Sequence, residues 1–547
     1  RAKADYLRGL ESAYNERNKQ RNNAYVNEYV RNFIDNEPIP GIENEYAIMN
    51  QVVPNIPVDA INQVVKQLIT EKNVVLSVFC PEKEGMKYPT EAELKAVLDK
   101  VKAEKLTAYV DKVSDEPLMK DKPQAGKVVK TEQGVFGSTI LTLSNGVRVI
   151  LKSTDFKADE VRMQAFSPGG TSLFDDKDVL QFALISQIAS LGGLGNFNAV
   201  DLDKVLAGKM ASASAQVNTL TEGLSGSCSP KDLETMLQLT YLRFTAPRMD
   251  QEAFTSFITR NKAALANQEA NPMTAFSDSI TVALYNHHPR ALSMKADMLD
   301  KIDYNKVMEL YKDRFADASD FTFILVGNID EKAATPLIEE YLGSLPATKR
   351  NEHFRDTKMD IRKGMYENNF VKELKASVLM VYSGDCKYDM KNKLQMSMLG
   401  QLLNMVYLRT VREDAGGTYG VSCSGSLSKY PSEEGAFQVY FDTDPNRREE
   451  MVKLINEGIE GFIANGPESD DLSKVKEYML KTYKQNQKEN GYWMGILNTY
   501  YWENLDMNTG YEEAVNAITG DDLKAFAKAF FGQKNEVEVS MSSPVEK

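Results

Sequence analysis

Cysteine and histidine are both scarce in this 547-residue sequence, which has four cysteines and three histidines. No two cysteines form a Cys-x-x-Cys pair, and no cysteine and histidine stand at the spacing of a zinc site. So few cysteines exclude a scaffold built on disulfides. Because free cysteines are usually buried, we predict buried thiols at all four positions, which are Cys80, Cys228, Cys386 and Cys423.

Long apolar runs and an excess of basic residues are absent too. No run reaches the ~18 residues that a membrane helix needs, so no membrane span is predicted. Asp and Glu (78) outnumber Lys and Arg (65), and the formal charge of −13 argues against a general nucleic-acid binder. The length predicts three or four globular domains. The chain starts at Arg1 without a targeting segment, from which we expect an N-terminus made by cutting.

An internal repeat organises the chain. Three segments, residues 55–80, 301–327 and 517–543, each combine a short amphipathic helix with a following apolar strand. Their ends lie 247 and 216 residues apart, a period that indicates repeated domains and not a solenoid. If the motif closes each domain, the chain holds the tail of one domain and two complete ones, and is a piece of a longer protein.

The intervening sequence predicts α+β domains with antiparallel sheets covered on one face. Asn145-Gly146 between two apolar runs predicts a hairpin, and residues 178–191 and 392–413 predict helices. Residues 1–34 predict one long charged helix packed on a partner. The predicted divisions are the C-terminal part of one domain (1–110), an interdomain linker (111–138), a complete domain (139–350) and a further complete domain (351–547).

One motif late in the chain combines a cation with a phenol. In VREDAGGTYGV, Arg412 lies near the end of an amphipathic helix and Tyr419 at the start of a strand, with Gly416-Gly417 allowing a tight reversal between them. Both side chains are suitable donors to a carbonyl oxygen or an oxyanion. The alternative is structural: Tyr419 is in phase with Val421 and could face inward, and Arg412 could stabilise the helix end.

Several stretches resemble the M16 metallopeptidases, the family of pitrilysin, insulin-degrading enzyme and the mitochondrial processing peptidase. They are LSNGVRVIL, LVGNID, the period near 220 residues and, above all, VREDAGGTYGV. The resemblance covers essentially the whole chain and implies α/β roll domains, here the tail of the second, the third and the fourth of a bacterial four-domain member. It also implies that two bowl-shaped halves close around an unfolded peptide, and that Arg412 and Tyr419 (R-x6-Y) project towards it.

The zinc motif of the family, HxxEH, is missing from this sequence. The corresponding helix of the third domain is DVLQFALISQI, with Gln181, Leu184 and Ile185 where the ligands would stand, by an approximate alignment. The resemblance therefore implies no metal and no catalytic residue in this chain. It places zinc in an N-terminal catalytic half that would be the partner of this chain.

Other candidate sites are weaker. The glycines of GGLGNF, which are Gly192, Gly193 and Gly195, resemble the substrate-binding loop of the non-catalytic processing-peptidase subunit, or form a plain helix-breaking turn. We interpret His287-His288-Pro289-Arg290 as a polar helix end, since adjacent side chains on a helix point ~100° apart. We assign an aromatic group to the core, which consists of Tyr492, Trp493, Tyr500, Tyr501 and Trp502.

The function expected from the sequence is that of a zinc-free C-terminal half of an M16 zinc metalloendopeptidase. It would close over unfolded peptides and supply Arg412 and Tyr419 to substrate and transition-state binding. The chain alone is expected to be inactive, and a bacterial periplasmic location follows from the resemblance. The alternative is a non-catalytic scaffold or peptide-binding subunit with the same fold.

Overall fold

The computed structural model describes residues 1–68, 72–80, 85–107, 110, 116–372 and 375–543. The chain divides into two compact units. One comprises Arg1–Pro117 with Asp203–Lys209, and the other Leu118–Leu202 with Met210–Lys547. Among the described residues, no helix is both long enough and apolar enough to cross a membrane.

Helices make up the regular structure of the first unit in its described residues: α1 (Ala2–Asn15), α2 (Asn22–Asp35), α3 (Ile42–Val52), α4 (Val58–Leu68) and α5 (Glu91–Ala103). The prediction of one long helix over residues 1–34 is wrong, because α1 ends at Asn15 and α2 begins at Asn22. The intervening residues, ERNKQR, are all polar and give no apolar face to pack. Tyr14 of α1 stacks on Tyr46 of α3, with ring centroids 4.6 Å apart.

The second unit contains two β-sheets. The first sheet has seven strands: β1 (Val128–Gln133), β2 (Thr139–Leu143), β3 (Arg148–Ser153), β4 (Val161–Pro168), β5 (Ala211–Val217), β6 (Thr221–Cys228) and β7 (Thr322–Gly327). Their spatial order is β1-β2-β3-β7-β4-β6-β5, and β3 and β7 form its parallel pair. The Asn145-Gly146 hairpin is confirmed as the β2–β3 connection.

The second sheet has five strands: β8 (Met365–Val371), β9 (Ala376–Asp385), β10 (Val421–Ser428), β11 (Glu434–Thr443) and β12 (Asn535–Ser542), in the order β10-β11-β9-β12-β8. This order repeats β5-β6-β4-β7-β3 of the first sheet, and the parallel pair falls at the same place, between β12 and β8. The predicted fold class of repeated, mainly antiparallel α+β domains is confirmed.

Helices of the second unit cover these sheets. They are α6 (Val179–Phe182), α7 (Ile185–Ala189), α8 (Ala199–Val205, which crosses the division between the units), α9 (Leu233–Thr245), α10 (Gln251–Gln268), α11 (Pro272–Tyr285), α12 (Tyr304–Arg314), α13 (Glu331–Tyr341), α14 (Met390–Tyr407), α15 (Arg448–Asn465), α16 (Ser469–Asn486), α17 (Asn490–Glu503), α18 (Tyr511–Ala517) and α19 (Gly520–Phe531). The single helix predicted over residues 178–191 is broken into α6 and α7 at Ala183-Leu184.

The closing helix and strand of the repeat form in two of the three predicted copies. α12 leads to β7 and α19 leads to β12. In the first copy α4 forms, but residues 72–80 contain no strand, so that part of the prediction is wrong. β7 and β12 each pair with a strand on both sides, and residues 72–80 have no such neighbours among the described residues. Phe79 is 95% exposed, and Cys80 is exposed where a buried thiol was predicted.

Each sheet also receives a helix from the other repeat. α17 packs Met494 and Leu497 against Ile324 and Val326 of β7. Conversely, α11 packs Phe276 and Ala283 against β12. The sheets are therefore covered in part on the second face as well, which the sequence did not predict. The aromatic group of α17 is half-buried at this interface, where Trp502 meets Phe166 of β4 at 5.6 Å. Trp493 and Tyr501 pack against the buried cluster, so the group borders the core and its assignment to the core holds only in part.

Residues of the predicted linker, 111–138, divide into two parts. The boundary between the compact units falls inside the segment, at Pro117. From Val128 onward the chain belongs to the first sheet, as β1 and a 3-10 turn at Val135–Gly137. Residues 111–115 lie outside the described residues, and the division into domains remains a prediction.

Candidate functional site

Arg412 lies on a π-helical turn that continues α14. The helix buries Leu394, Met398 and Leu402, and the turn, Leu408–Asp414, buries Val411. The Arg412 side chain points to solvent from this anchored turn. π-helical turns are rare and are frequent at functional sites, because they redirect a side chain at the end of a regular helix.

The turn between Arg412 and Tyr419 is built on two glycines. Gly416 has φ +59°, a conformation that favours glycine. Gly417 is required for a different reason: a Cβ atom there would lie 2.0 Å from Sδ of Met451, which is fully buried on α15. The backbone N–H of Gly417 donates to the carbonyl oxygen of Val411 at 3.2 Å. The predicted tight reversal is therefore confirmed, and it packs directly on the core.

Two side chains, one at the end of β11 and one in the turn that follows it, donate hydrogen bonds to carbonyl groups of this glycine turn. The hydroxyl of Thr443 donates to the Gly417 carbonyl at 2.6 Å, and Nη2 of Arg447 donates to the Ala415 carbonyl at 2.9 Å. Thr443 is buried, so its hydrogen bond is shielded from water. Neither residue could be identified from the motif, because Thr443 and Arg447 lie 26 and 32 positions after the residues that they contact.

Tyr419 projects into solvent from this anchored turn. Its side chain is 100% exposed, and β10 begins two residues later, at Val421. The structural alternative in which Tyr419 faces inward is therefore wrong. Among the described residues, no hydrogen bond or ion pair engages the Arg412 guanidinium or the Tyr419 hydroxyl. Both donors remain available to a ligand.

The start of the strand after Tyr419 is fixed to α14 by an asparagine. Asn404 accepts from the backbone N–H of Cys423 at 2.9 Å and donates to the Cys423 carbonyl at 2.7 Å. These bonds occupy the outer edge of β10, which pairs only with β11. Burial raises the pKa of the Cys423 thiol to about 12, so this thiol is an inert core group.

Asp442 lies on the strand that pairs with β10, and its carboxylate is charged. Burial raises its pKa, but hydrogen bonds from Lys375, Ser377 and Tyr440 outweigh that effect and the net direction is downward. The Lys375 ammonium donates at 2.8 Å and the Ser377 hydroxyl at 2.7 Å. These hydrogen bonds give the Asp442 carboxylate a structural role.

The glycines of GGLGNF have structural roles, in close packing and in hydrogen bonds. Gly192 and Gly193 are buried against residues 246–248, and a Cβ at Gly192 would lie 2.0 Å from the Arg248 carbonyl oxygen. The carbonyl oxygens of Gly192 and Gly193 accept from Arg248, and the Gly195 N–H donates to Ala246. The geometry favours the helix-breaking turn over the substrate-binding loop.

The residues at the positions of the zinc motif do not fit a metal ion. Gln181 caps the segment before α12, donating to the Lys301 carbonyl and accepting from the Asp303 N–H, and Ile185 is buried. Across the described ranges, no three His, Cys, Asp or Glu side chains are grouped so that they could hold a metal. The described residues therefore provide no ligand set for zinc.

The histidine pair follows the end of a helix, as predicted. α11 ends at Tyr285, and Asn286 and His287 both have positive φ. The backbone N–H of Arg290 donates to Nδ1 of His288 at 3.2 Å, so Nε2 carries the proton and donates to the Thr357 carbonyl at 3.1 Å. Both ring nitrogens of His288 are thus engaged in structural hydrogen bonds.

The amino-acid sequence is similar to those of known proteins. Residues 301–479 match the family model described as the Peptidase M16 inactive domain. Over these residues the chain is similar to the inactive domain of M16 peptidases. Among curated M16 relatives, it is 27% identical over 511 residues to "Zinc protease PQQL-like" of Arabidopsis thaliana, covering 89% of this chain and 50% of the relative. It is 22% identical to "Probable zinc protease PqqL" of Escherichia coli (strain K12), covering 83% of this chain and 49% of the relative.

Solved structures show the same M16 fold. The periplasmic protease PqqL of Escherichia coli has a TM-score of 0.70 at 20% identity, over 99% of this chain and 60% of that protein. A peptidase M16 inactive domain from Pseudomonas fluorescens has a TM-score of 0.63 at 17% identity, over 75% of this chain and all of that one. This chain spans about half the length of the curated relatives that it matches.

Proposed function

We propose that this chain is the zinc-free half of an M16 zinc metalloendopeptidase that closes over unfolded peptides. Arg412 and Tyr419 would bind the substrate, and the metal would belong to a separate catalytic half. The observation that carries the proposal is the placement of two unengaged donors, one of them fully exposed, on a turn whose backbone is held by buried groups.

The chemistry of these donors suits peptide-bond hydrolysis. A guanidinium and a phenol hydroxyl both donate hydrogen bonds to a carbonyl oxygen, and both bind more strongly as that oxygen gains negative charge. The anchored turn keeps them in place before the peptide arrives, so little ordering is needed in the reaction. By analogy with other oxyanion donors, we expect each to contribute about 10²–10³ in rate.

Exposed apolar side chains in the first unit support the proposal that a catalytic half is the partner of this chain. Apolar side chains of α4 are exposed, among them Val58 (74%) and Leu68 (77%), as are Val75 and Phe79 beyond it. Exposed apolar surfaces of this extent mark protein–protein contacts. In the proposed enzyme, the remainder of the second domain would cover them and would supply the neighbours that residues 72–80 lack.

A bacterial periplasmic location is part of the proposal. The Escherichia coli relative with the same fold is described as a periplasmic protease. Fractionation of the source cells, with detection of this chain in the periplasmic extract, tests the location independently of activity.

The experiment compares this chain alone with this chain joined to the segment encoded immediately upstream. Cleavage of a broad panel of quenched fluorogenic peptides is measured with Zn²⁺ and again with a chelator. We expect silence from the chain alone and chelator-sensitive cleavage from the joined protein. An upstream segment without HxxEH, or cleavage by the chain alone, contradicts the proposal. Silence of both proteins favours the scaffold or peptide-binding alternative.

Substitutions in the joined protein test the two donors. Arg412→Ala and Tyr419→Phe should each lower kcat/KM by about 10²–10³ with the thermal midpoint unchanged. The matched controls are Arg260→Ala on α10 and Tyr478→Phe on α16, which change exposed side chains of the same kinds. Equal losses in the controls, or full activity in both test variants, would remove Arg412 and Tyr419 from the proposed site.

A further inference from the structure

A cavity of about 310 Å³ lies behind the π-helical turn, between the C-terminal part of α14, α15 and the first turn of α16. Its floor is apolar and its rim is charged. The apolar lining consists of Leu402, Val406, Leu454, Phe462 and Pro467. The volume is at the low end of ligand sites, and it suits a single side chain or a small aliphatic molecule.

Glycines on α15 leave this space open. A Cβ at Gly458 would lie 2.5 Å from Cε1 of Tyr407, so this residue lets the helices approach closely. A Cβ at Gly461 would meet no atom within 4 Å. Packing therefore requires glycine at position 458 but not at 461, where the missing side chain leaves the cavity open.

The rim is mostly acidic. Among the residues that line the cavity, Arg409 is the basic one, against Glu457, Glu468 and Asp471. Asp471 is buried and already holds Arg409, with Nη2 and Oδ2 2.8 Å apart. The Glu468 carboxylate has no hydrogen bond or ion pair within the described part of the chain. After Arg409 is neutralised, the Glu468 carboxylate remains without an ion pair at the opening, and Glu457 lies beside it with Lys453 at 3.6 Å.

Two exposed lysines lie near the rim but outside the lining. Lys453 lies 3.6 Å from Glu457, and Lys474 lies 2.6 Å from Asp470 and 4.0 Å from Asp471, so they partly offset these carboxylates and leave that of Glu468 uncompensated. α15 ends at the cavity without a basic residue in its last turn. The negative end of the α15 dipole and the positive end of the α16 dipole both lie at the cavity and oppose each other, so the attraction for a cation depends on the carboxylates.

We propose that this cavity binds an alkylammonium or alkylguanidinium group, the chemistry of a lysine or arginine side chain. The aliphatic stem would lie on the apolar floor and the cationic head would reach Glu468 and Glu457, as such side chains do when they bury only their stems. The site is separate from Arg412 and Tyr419 and depends on neither of them.

The test uses the full 547-residue chain with n-pentylammonium as the probe, followed by saturation-transfer NMR and titration. 1-Pentanol and pentanoate have the same stem without the positive charge. Gly461→Leu fills the cavity, and Gly495→Leu is its matched control, because Gly495 is also helical with no atom within 4 Å of an added Cβ. Glu468→Gln removes one rim charge and leaves the volume unchanged.

We expect pentylammonium to bind more tightly than both analogues. Gly461→Leu should abolish binding, Gly495→Leu should leave it unchanged, and Glu468→Gln should weaken it about two- to fivefold, the range for a solvent-exposed ion pair. Absence of pentylammonium binding, equal binding of pentanoate, or unchanged binding in Gly461→Leu overturns the proposal. Competition by acetyl-Gly-Lys-Gly-amide identifies a peptide side chain as the natural source, and failure of that peptide to compete identifies a free amine.

Discussion

Glu222 offers a sharp test of how the second unit is held together. It lies on β6, is 2% exposed, and accepts a hydrogen bond from the Gly170 N–H at 2.6 Å. Nη1 of Arg314 is 4.0 Å from its other oxygen, too far for a hydrogen bond. Burial raises the pKa of this carboxyl to about 8 from its ordinary 4.5, against the lowering effect of Gly170 and Arg314.

The sign of the pH dependence follows from that direction. The folded state holds the proton more tightly than the unfolded chain, so the contribution to stability is complete below about pH 4.5. It is lost as the pH rises towards 8, because the unfolded chain gives up its proton first. At 1.36 kcal/mol per pKa unit, the free energy of unfolding falls by about 4 kcal/mol between pH 5 and pH 8.5 on account of Glu222.

Glu222→Gln isolates this contribution, because a neutral amide keeps the acceptor for Gly170 and does not titrate. Any fixed penalty for the amide beside Arg314 is the same at each pH, so the quantity to follow is the difference between the two proteins. Urea unfolding at pH 5 and pH 8.5 should show the variant gaining about 4 kcal/mol relative to the parent over this interval.

An exposed glutamate on α16 provides the control. Glu477→Gln should give the same difference from the parent at both pH values. If instead Glu222 is ionised and paired with Arg314 in the folded state, Glu222→Gln will be less stable than the parent at pH 8.5 and will gain nothing as the pH rises. That result would refute the buried neutral carboxyl.

Three further substitutions test the packing around the candidate site and between the repeats. Gly417→Ala should lower the free energy of unfolding by about 1–3 kcal/mol through the clash with Met451, and the same substitution should cost less in a Met451→Ala background, where the clashing side chain is absent. Asn404→Ala should cost about 1–3 kcal/mol, because two backbone groups of β10 lose their partner, whereas Gln401→Ala should be nearly neutral. Leu497→Ala should cost about 2–5 kcal/mol, since the side chain is fully buried against the first sheet. Urea midpoints measure all three, and parental midpoints would contradict the contacts named here.

Local sequence predicted the elements whose contacts are local. The hairpin at Asn145-Gly146 and the helix before Arg412 follow from turn chemistry and apolar spacing, and both formed. The strand predicted at the end of the first repeat copy did not form, although its apolar pattern matches the other copies. A strand needs neighbours for its backbone groups, and periodicity cannot show whether those neighbours exist.

The candidate site was predictable only in part for the same reason. The sequence identified Arg412, Tyr419 and the glycine reversal between them, but periodicity alone favoured an inward-facing Tyr419, and only the family resemblance pointed to an exposed one. What decides the exposure is the frame around the turn, which uses Thr443, Arg447 and Met451 from a separate part of the chain. Contacts at such separation leave no pattern in a single sequence.

The exchange of helices between the repeats explains why the second unit is one compact body. α17 belongs to the second repeat but covers the first sheet, and α11 belongs to the first repeat but covers the second sheet. Either repeat alone would expose an apolar sheet face and leave an apolar helix without its partner. The repeats therefore stabilise each other, and the turn that carries Arg412 and Tyr419 is built on a pair of repeats that depend on one another for their cores.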